Sequence, residues 1–179
     1  MFIALVGMAI AGVLVVYNQA VKGSADPMVR KQAVAAAESL LSEVLAQPFT
    51  WCDPQDAAND ASTPPSAGAS CTGGSGNSQD KGGGTLGPQP ATESRLSATD
   101  PFDNVADYNG FTMTGITSLD GTTPSALSAY SARVDVSRAG SVFGLANDAV
   151  LRVDVTVTGR GETIVLTGYR FRHSPNASG

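Results

Sequence analysis

The chain opens on a run without a charged residue, MFIALVGMAIAGVLVVYNQAV, from Met1 to Val21. A helix of about 20 residues spans ~30 Å, the thickness of the hydrocarbon core of a bilayer. Up to Tyr17 the run is apolar on every side, so no single face can be assigned to a core. A helix of that kind belongs in lipid or at the centre of an assembly. Small residues recur in it: Gly7 and Ala11 lie one turn apart and Gly12 adjoins them, a spacing that lets two helices approach closely. The competing reading is a cleaved signal peptide. No basic segment precedes the run and no A-x-A site follows it before Lys22, so a retained membrane stem over 1–22 is the expectation.

Gly23-Ser24-Ala25-Asp26-Pro27 then interrupts the pattern. Asp26 suits an N-cap, and Pro27 suits a first helical turn, where its missing N–H costs nothing. From Met28 the spacing predicts a helix over 28–47. Val29, Ala33, Ala36, Ala37, Leu40, Leu41, Val44 and Leu45 fall on one face, and Arg30, Lys31, Glu38, Ser42 and Glu43 on the other. Pro48 ends it. Stem and helix together read as one long, slightly kinked rod whose second half packs on a head.

Residues 53–100 are dominated by Pro, Gly, Ser, Thr, Asn, Asp and Ala, and predict a long variable surface loop with little core of its own. Beyond it the pattern changes to period two. Tyr130, Ala132, Val134 and Val136 alternate with Ser131, Arg133 and Asp135, and Leu151, Val153, Val155 and Val157 repeat the alternation. A further strand is predicted over 163–172, after a tight turn at Gly159-Arg160-Gly161. Its alternation is imperfect, and Gly168 is the place for a bulge that resets the face. Residues 110–116 supply a short additional strand. Antiparallel pairing of the two regular strands would set Arg133 opposite Asp154 and Asp135 opposite Arg152. The whole predicts an α+β fold: a stem at 1–22, then a head over 23–179 in which the amphipathic helix covers an antiparallel sheet at 110–172.

Composition narrows the function. The 179 residues carry 11 basic and 16 acidic side chains, a net charge of −5, and lysine occurs only at Lys22, Lys31 and Lys81. That length fits one small domain with an appended element, and the charge excludes a basic surface for nucleic acid. Cys52 and Cys71 lack the further Cys or His ligands of a zinc site, so they are expected to form a disulfide in an oxidising compartment. Closing a loop of about 20 residues contributes roughly 3 kcal/mol in the chain-entropy model.

Catalytic groupings are not found. His173 is the single histidine and stands alone near the C-terminus. Gly82-Gly83-Gly84 lacks the Lys-Ser/Thr and the flanking strand and helix of a phosphate loop. The chain therefore reads as a non-enzyme with no cofactor and no small-molecule substrate. The nearest thing to a ligand set is Asp100, Asp103, Asp107 and Asn109, whose oxygens suit calcium. Their spacing is not that of an EF-hand and no closing Glu follows, so turn and cap carboxylates are the first reading and calcium the second. Trp51 is expected to pack under the loop. With Tyr108 it also marks an alternative, a membrane-tethered adhesin or sugar-binding module.

The apolar stem, amphipathic continuation, disulfide-bearing loop and C-terminal sheet together resemble a type IV pilin or pseudopilin. More narrowly, Gly23-Ser-Ala-Asp-Pro-Met-Val-Arg-Lys-Gln-Ala33, Ala37-Glu-Ser-Leu-Leu41, Pro48-Phe-Thr-Trp-Cys-Asp-Pro54 and Asp103-Asn-Val-Ala-Asp-Tyr-Asn-Gly110 are similar to D-subunit minor pilins of mannose-sensitive haemagglutinin-type pili. The resemblance implies an inner-membrane protein with a periplasmic head, later drawn into a pilus through its stem. Its partners would be other pilin subunits and the assembly machinery. A minor pseudopilin of a type II secretion system is the neighbouring alternative. Prepilins carry a short basic leader, a Gly at the cleavage point and a Glu early in the stem, none of which lies in Met1–Val21. The expectation is that the sequence begins inside the stem, and no assembly role of that Glu is carried onto a residue here.

Overall fold

The computed structural model describes residues 2–60 and 65–172, except the side chains of 2–9, 11, 12, 15–26 and 60. One α-helix, α1 (Phe2–Ala46), precedes four strands: β1 (Thr112–Thr114), β2 (Tyr130–Arg138), β3 (Val150–Gly159) and β4 (Glu162–Phe171). The strands form one antiparallel sheet in the order β1-β2-β3-β4, and α1 lies across its inner face against β3 and β4. The α+β class with a helix covering a C-terminal antiparallel sheet is therefore as the patterning predicts.

The predicted break in the helix is absent. α1 runs through Pro27, so residue 26 lies inside the helix rather than ahead of it and no second helix starts at 28. Proline cannot donate to the carbonyl four residues back, a local cost of about 3 kcal/mol in a helix interior. Extending an existing helix nevertheless avoids the unfavourable nucleation that a separate helix at 28 would require. Among the described residues, contacts with the core start at Val29 and continue through Ala33, Ala36, Ala37, Leu40, Leu41, Val44 and Leu45, the predicted apolar face. The Tyr130 hydroxyl fastens the start of this region, donating to the Gln32 side-chain oxygen at 3.0 Å and lying 3.3 Å from the Val29 carbonyl.

Ahead of that point Ile10, Val13, Leu14 and Met28 are exposed. Among the described residues no helix is long and apolar enough to cross a membrane. The expected stem falls almost wholly on residues whose side chains are not described, and so do its packing candidates Gly7, Ala11 and Gly12.

The sheet's inner face is built by Tyr130, Ala132, Val134 and Val136 of β2 and by Leu151, Val153, Val155 and Val157 of β3, all buried. The register differs from the expected one by two residues: Arg133 lies opposite Thr156, Ser137 opposite Arg152, and Asp135 opposite Asp154. An even shift leaves every side chain on its face, so the hydrophobic pattern alone could not choose between the two registers. Each arginine instead pairs along its own strand. Arg133 bonds Asp135 at 2.5 Å and Arg152 bonds Asp154 at 3.0 Å, both pairs partly or largely exposed. These pairs neutralise the two facing aspartates.

β3 and β4 pair without a bulge, from Val150 opposite Phe171 to Gly159 opposite Glu162. Arg160 and Gly161 both take positive φ, as a two-residue hairpin of the primed type requires. Gly168 therefore resets no face. A Cβ there would lie 2.7 Å from Leu45 Cδ1 and 3.2 Å from Leu41 Cδ1, so the glycine leaves room for the two leucine side chains of the helix against the strand. The imperfect alternation has another consequence: Val165, Tyr169 and Phe171 stay on the outer face, where Phe143 packs edge-on against both aromatic rings.

The long polar segment is more ordered than its composition predicts. Single 3-10 turns occur at Ala57–Asp60, Gly68–Ser70, Ser75–Asn77 and Lys81–Gly83, and Cys71, Ser78, Gln79, Leu86 and Glu93 are buried. Polar side chains bonded to backbone take the place of a hydrophobic core. Asp56 accepts from the Thr72 amide and hydroxyl, Lys81 donates to the Pro88 carbonyl, and Arg138 bonds Asp80 and the Gly84 carbonyl. The Cys52–Cys71 disulfide is formed, and a bridge between Cys52 and Ser78 ties the segment to the end of the helix.

Candidate functional site

Three chain segments converge below the C-terminal end of α1: residues 50–56 after Pro48, the turn around Glu93, and the 3-10 turn Val105–Tyr108. Asn104 caps that turn. Its side chain accepts from the Ala106 amide, while Asp107 Oδ2 accepts from the Asn104 amide at 2.7 Å, a reciprocal capping box. The Asn104 side-chain amide also donates to Thr50 Oγ1 at 3.1 Å, and the Val105 amide to the Pro48 carbonyl at 3.1 Å. These bonds bring Asp103 and Asp107 beside Asp53.

The result is a group of carboxylates with few donors. One oxygen each from Asp53, Glu93 and Asp103 lies within 4.8 Å of the others. Asp53 Oδ1 accepts from the Gln55 amide at 2.6 Å, and Asp103 Oδ2 from the Gln55 side chain at 3.4 Å. Glu93 is only 5 % exposed; no amide, hydroxyl or cationic donor among the described residues reaches its oxygens, and its carboxyl shares a hydrogen bond with Asp53. Asp103 Oδ1, Asp107 Oδ1 and the Gln79 side-chain oxygen are buried and unpartnered. Gln79 is fully buried, with its amide nitrogen 3.5 Å from Asp53 Oδ2. Lys81 senses these charges only through space, because its ammonium bonds the Pro88 carbonyl and Gln89.

Burial and mutual repulsion both disfavour ionisation here. Burial, followed by the charges of Asp107, Asp103 and Asp53, pushes the Glu93 carboxyl up to about 10. Burial, reinforced by Asp53, raises Asp103 to about 6, and burial raises Asp107 to about 7 against its backbone hydrogen bonds. Burial also raises Asp53, opposed by the Gln55 amide.

Of the sequence-predicted ligand set, Asp103 joins this group and Asp107 adjoins it. Asp100 and Asn109 do not belong to it. Asp100 accepts from the Thr92 hydroxyl, while Asn109 donates to the Leu86 carbonyl and accepts from the Val136 amide. Asp53 and Glu93 were not indicated by the sequence, because they lie 40 positions apart and neither stands in a ligand-spaced motif. Cys52, Asp56 and Cys71 also lie close together, but the disulfide removes both thiolates from metal chemistry.

The other candidate residues have structural surroundings. Tyr108 is 1 % exposed, and its hydroxyl donates to Glu43 at 2.9 Å, so it offers no face to a sugar. Burial and then the Glu43 charge hold its hydroxyl well above the usual phenol range. Glu43, expected on the wet side of the helix, is instead locked in a fork with Arg95 at 2.7 and 2.8 Å. Trp51 is half-buried. Its ring does not simply underlie the loop but stacks 3.9 Å from the Arg172 guanidinium, with Phe49 4.0 Å away. Burial lowers Arg172 to about 10 against the attraction of Asp148 and Asp80. A cleft of about 990 Å³ runs between the helix face at Gln32–Gln47 and the 113–127 segment, floored by Leu40, Met113, Ile116 and Leu127. His173 lies outside the described residues.

Against family models, curated proteins and solved structures, the chain matches none.

Proposed function

We propose that the protein is a structural subunit of a surface filament, a minor pilin of a type IV pilus of the mannose-sensitive haemagglutinin kind. The observation that carries this reading is the division of α1. Its second half, from Val29, is buried against the sheet, whereas Ile10, Val13 and Leu14 in the first half are exposed apolar residues. At 1.5 Å per residue the 45-residue helix is about 68 Å long. Among its described side chains, those buried by the head lie in its C-terminal part.

Exposed apolar side chains such as Ile10, Val13 and Leu14 on a long helix call for lipid or neighbouring helices around them. A pilin meets both needs in turn. Its stem sits in the inner membrane with the head in the periplasm, then packs among other stems when the assembly machinery extracts it. The disulfide suits a periplasmic head, and the reading assigns no catalytic role to any residue. Deletion of the gene followed by electron microscopy of surface filaments tests it. Fewer or shorter filaments, restored by the wild-type copy, are expected, with the protein co-purifying in sheared pili. Unchanged filaments from which the protein is absent would refute it.

A further inference from the structure

The carboxylate group at Asp53, Glu93 and Asp103 takes no part in sheet formation, yet it holds buried oxygens that no donor satisfies. A buried carboxylate without a donor is costly, and three together are costlier. A second observation comes from a neutral group. Gln79 is fully buried with an unpartnered side-chain oxygen, and its amide nitrogen lies 3.5 Å from Asp53. A protonated pair would account for one missing partner. It would not account for the unpartnered oxygen on each of Asp103 and Asp107, nor for the Gln79 carbonyl.

We propose that Asp53, Glu93 and Asp103, with the Gln79 side-chain amide set against them, bind one calcium ion that clamps the disulfide loop to the 103–108 turn. The chemistry selects the ion. All donors are oxygens, with no imidazole or thiolate, which excludes the preferences of zinc and copper. Calcium–oxygen distances of about 2.3–2.6 Å allow ligand oxygens to stand at most ~5 Å apart across the ion, and the three carboxylate oxygens all lie within 4.8 Å of one another. Calcium tolerates irregular, carboxylate-rich shells, whereas magnesium demands near-octahedral geometry and retains several waters, which a buried site accommodates poorly. Asp107, 1 % exposed with one unpartnered oxygen, adds a further negative charge beside the site. Asp53 directly follows Cys52, Asp103 precedes the Asn104 cap and Glu93 belongs to the intervening loop. The ion would therefore join three segments that the disulfide alone leaves separate.

The test is thermal unfolding of the full chain in detergent, in chelator and with calcium roughly tenfold above the ~10⁻⁴–10⁻³ M range of extracellular sites. Binding at that excess raises Tm by about 3–6 °C for a chain of this size. Magnesium at the same concentration gives less than half that rise. Glu93→Gln and Asp103→Asn abolish the calcium response, while Glu93→Gln in chelator melts at or above the wild type because the glutamine, unlike the buried glutamate, need not take up a proton on folding. That crossover separates an ion site from a merely structural glutamate. Calorimetric titration of the wild type with calcium gives the stoichiometry without reliance on any variant, and one ion per chain is expected. Absence of a calcium-dependent rise, an equal rise with magnesium, or an undiminished response in Glu93→Gln would each overturn the proposal.

Discussion

Glu43 accepts from Arg95 through two guanidinium nitrogens and from the Tyr108 hydroxyl, and Arg95 donates its third nitrogen to the Thr117 carbonyl. With side chains 6 % and 14 % exposed, this pair joins helix, loop and sheet edge in a largely dry place. Removing one partner strands the other charge, at a cost of about 3–5 kcal/mol. Arg95→Ala is therefore expected to lower Tm far more than Glu43→Gln, which keeps shape and an acceptor for Tyr108; unfolding followed by Trp51 fluorescence measures both. Two glycines give a second contrast. A Cβ on Gly140 would lie 1.7 Å from the Ala146 carbonyl oxygen, a backbone atom that cannot step aside, whereas at Gly168 it would meet only the ends of Leu41 and Leu45. Gly140→Ala should cost more than about 3 kcal/mol and Gly168→Ala about 1 kcal/mol. The reverse order of melting temperatures would contradict the packing described.

At the scale of elements, the helix and the disulfide loop each carry a prediction. Pro27 sits inside α1 two residues before Val29, the first core contact among the described residues, and leaves the carbonyl of residue 23 without its helical donor. Pro27→Ala should stabilise this junction, visible as slower amide hydrogen exchange over the adjoining turns with the head's exchange unchanged. The loop depends on side chain–backbone bonds around a single cross-link rather than on apolar packing. Cys52→Ser should therefore cost roughly 3 kcal/mol, and adding reductant to the wild type should give nearly the same loss of Tm. Identical melting of mutant and oxidised wild type would remove the disulfide's structural role. The two-residue register difference between β2 and β3 also belongs to this scale. The tight connection around Gly140 and the Ala139–Val150 hydrogen bond, which the strand alternation does not encode, close the top of that hairpin.

For the molecule as a whole, the described core uses α1 only from Val29 onward, so the head should not need the stem. A chain beginning at residue 24 is expected to unfold within a few degrees of the full chain while failing to enter filaments. A large loss of stability on that truncation would show that the first half of the helix supports the head, against the division on which the functional reading rests. Below the helix end the disulfide and the carboxylate group share one segment, because Asp53 follows Cys52, so changes at the two should be coupled rather than additive.

The amino-acid pattern by itself determined the secondary-structure types, the apolar face of the helix, the inward set of each regular strand and the cysteine pair, because these depend on local periodicity and on a small number of chemical partners. It could not determine the fate of Pro27, since a proline after Asp26 reads equally as a helix start or as an interior residue whose cost the continuing helix absorbs. Nor could it show that Glu43 and Tyr108 turn inward, because their partner Arg95 is about 50 positions from Glu43 along the chain. The candidate site was legible only at Asp103 and Asp107. Asp53 and Glu93 became part of it when the capping turn and the disulfide loop closed against each other, and only tertiary structure decides how close carboxylates so distant in sequence come, and how much water is left between them.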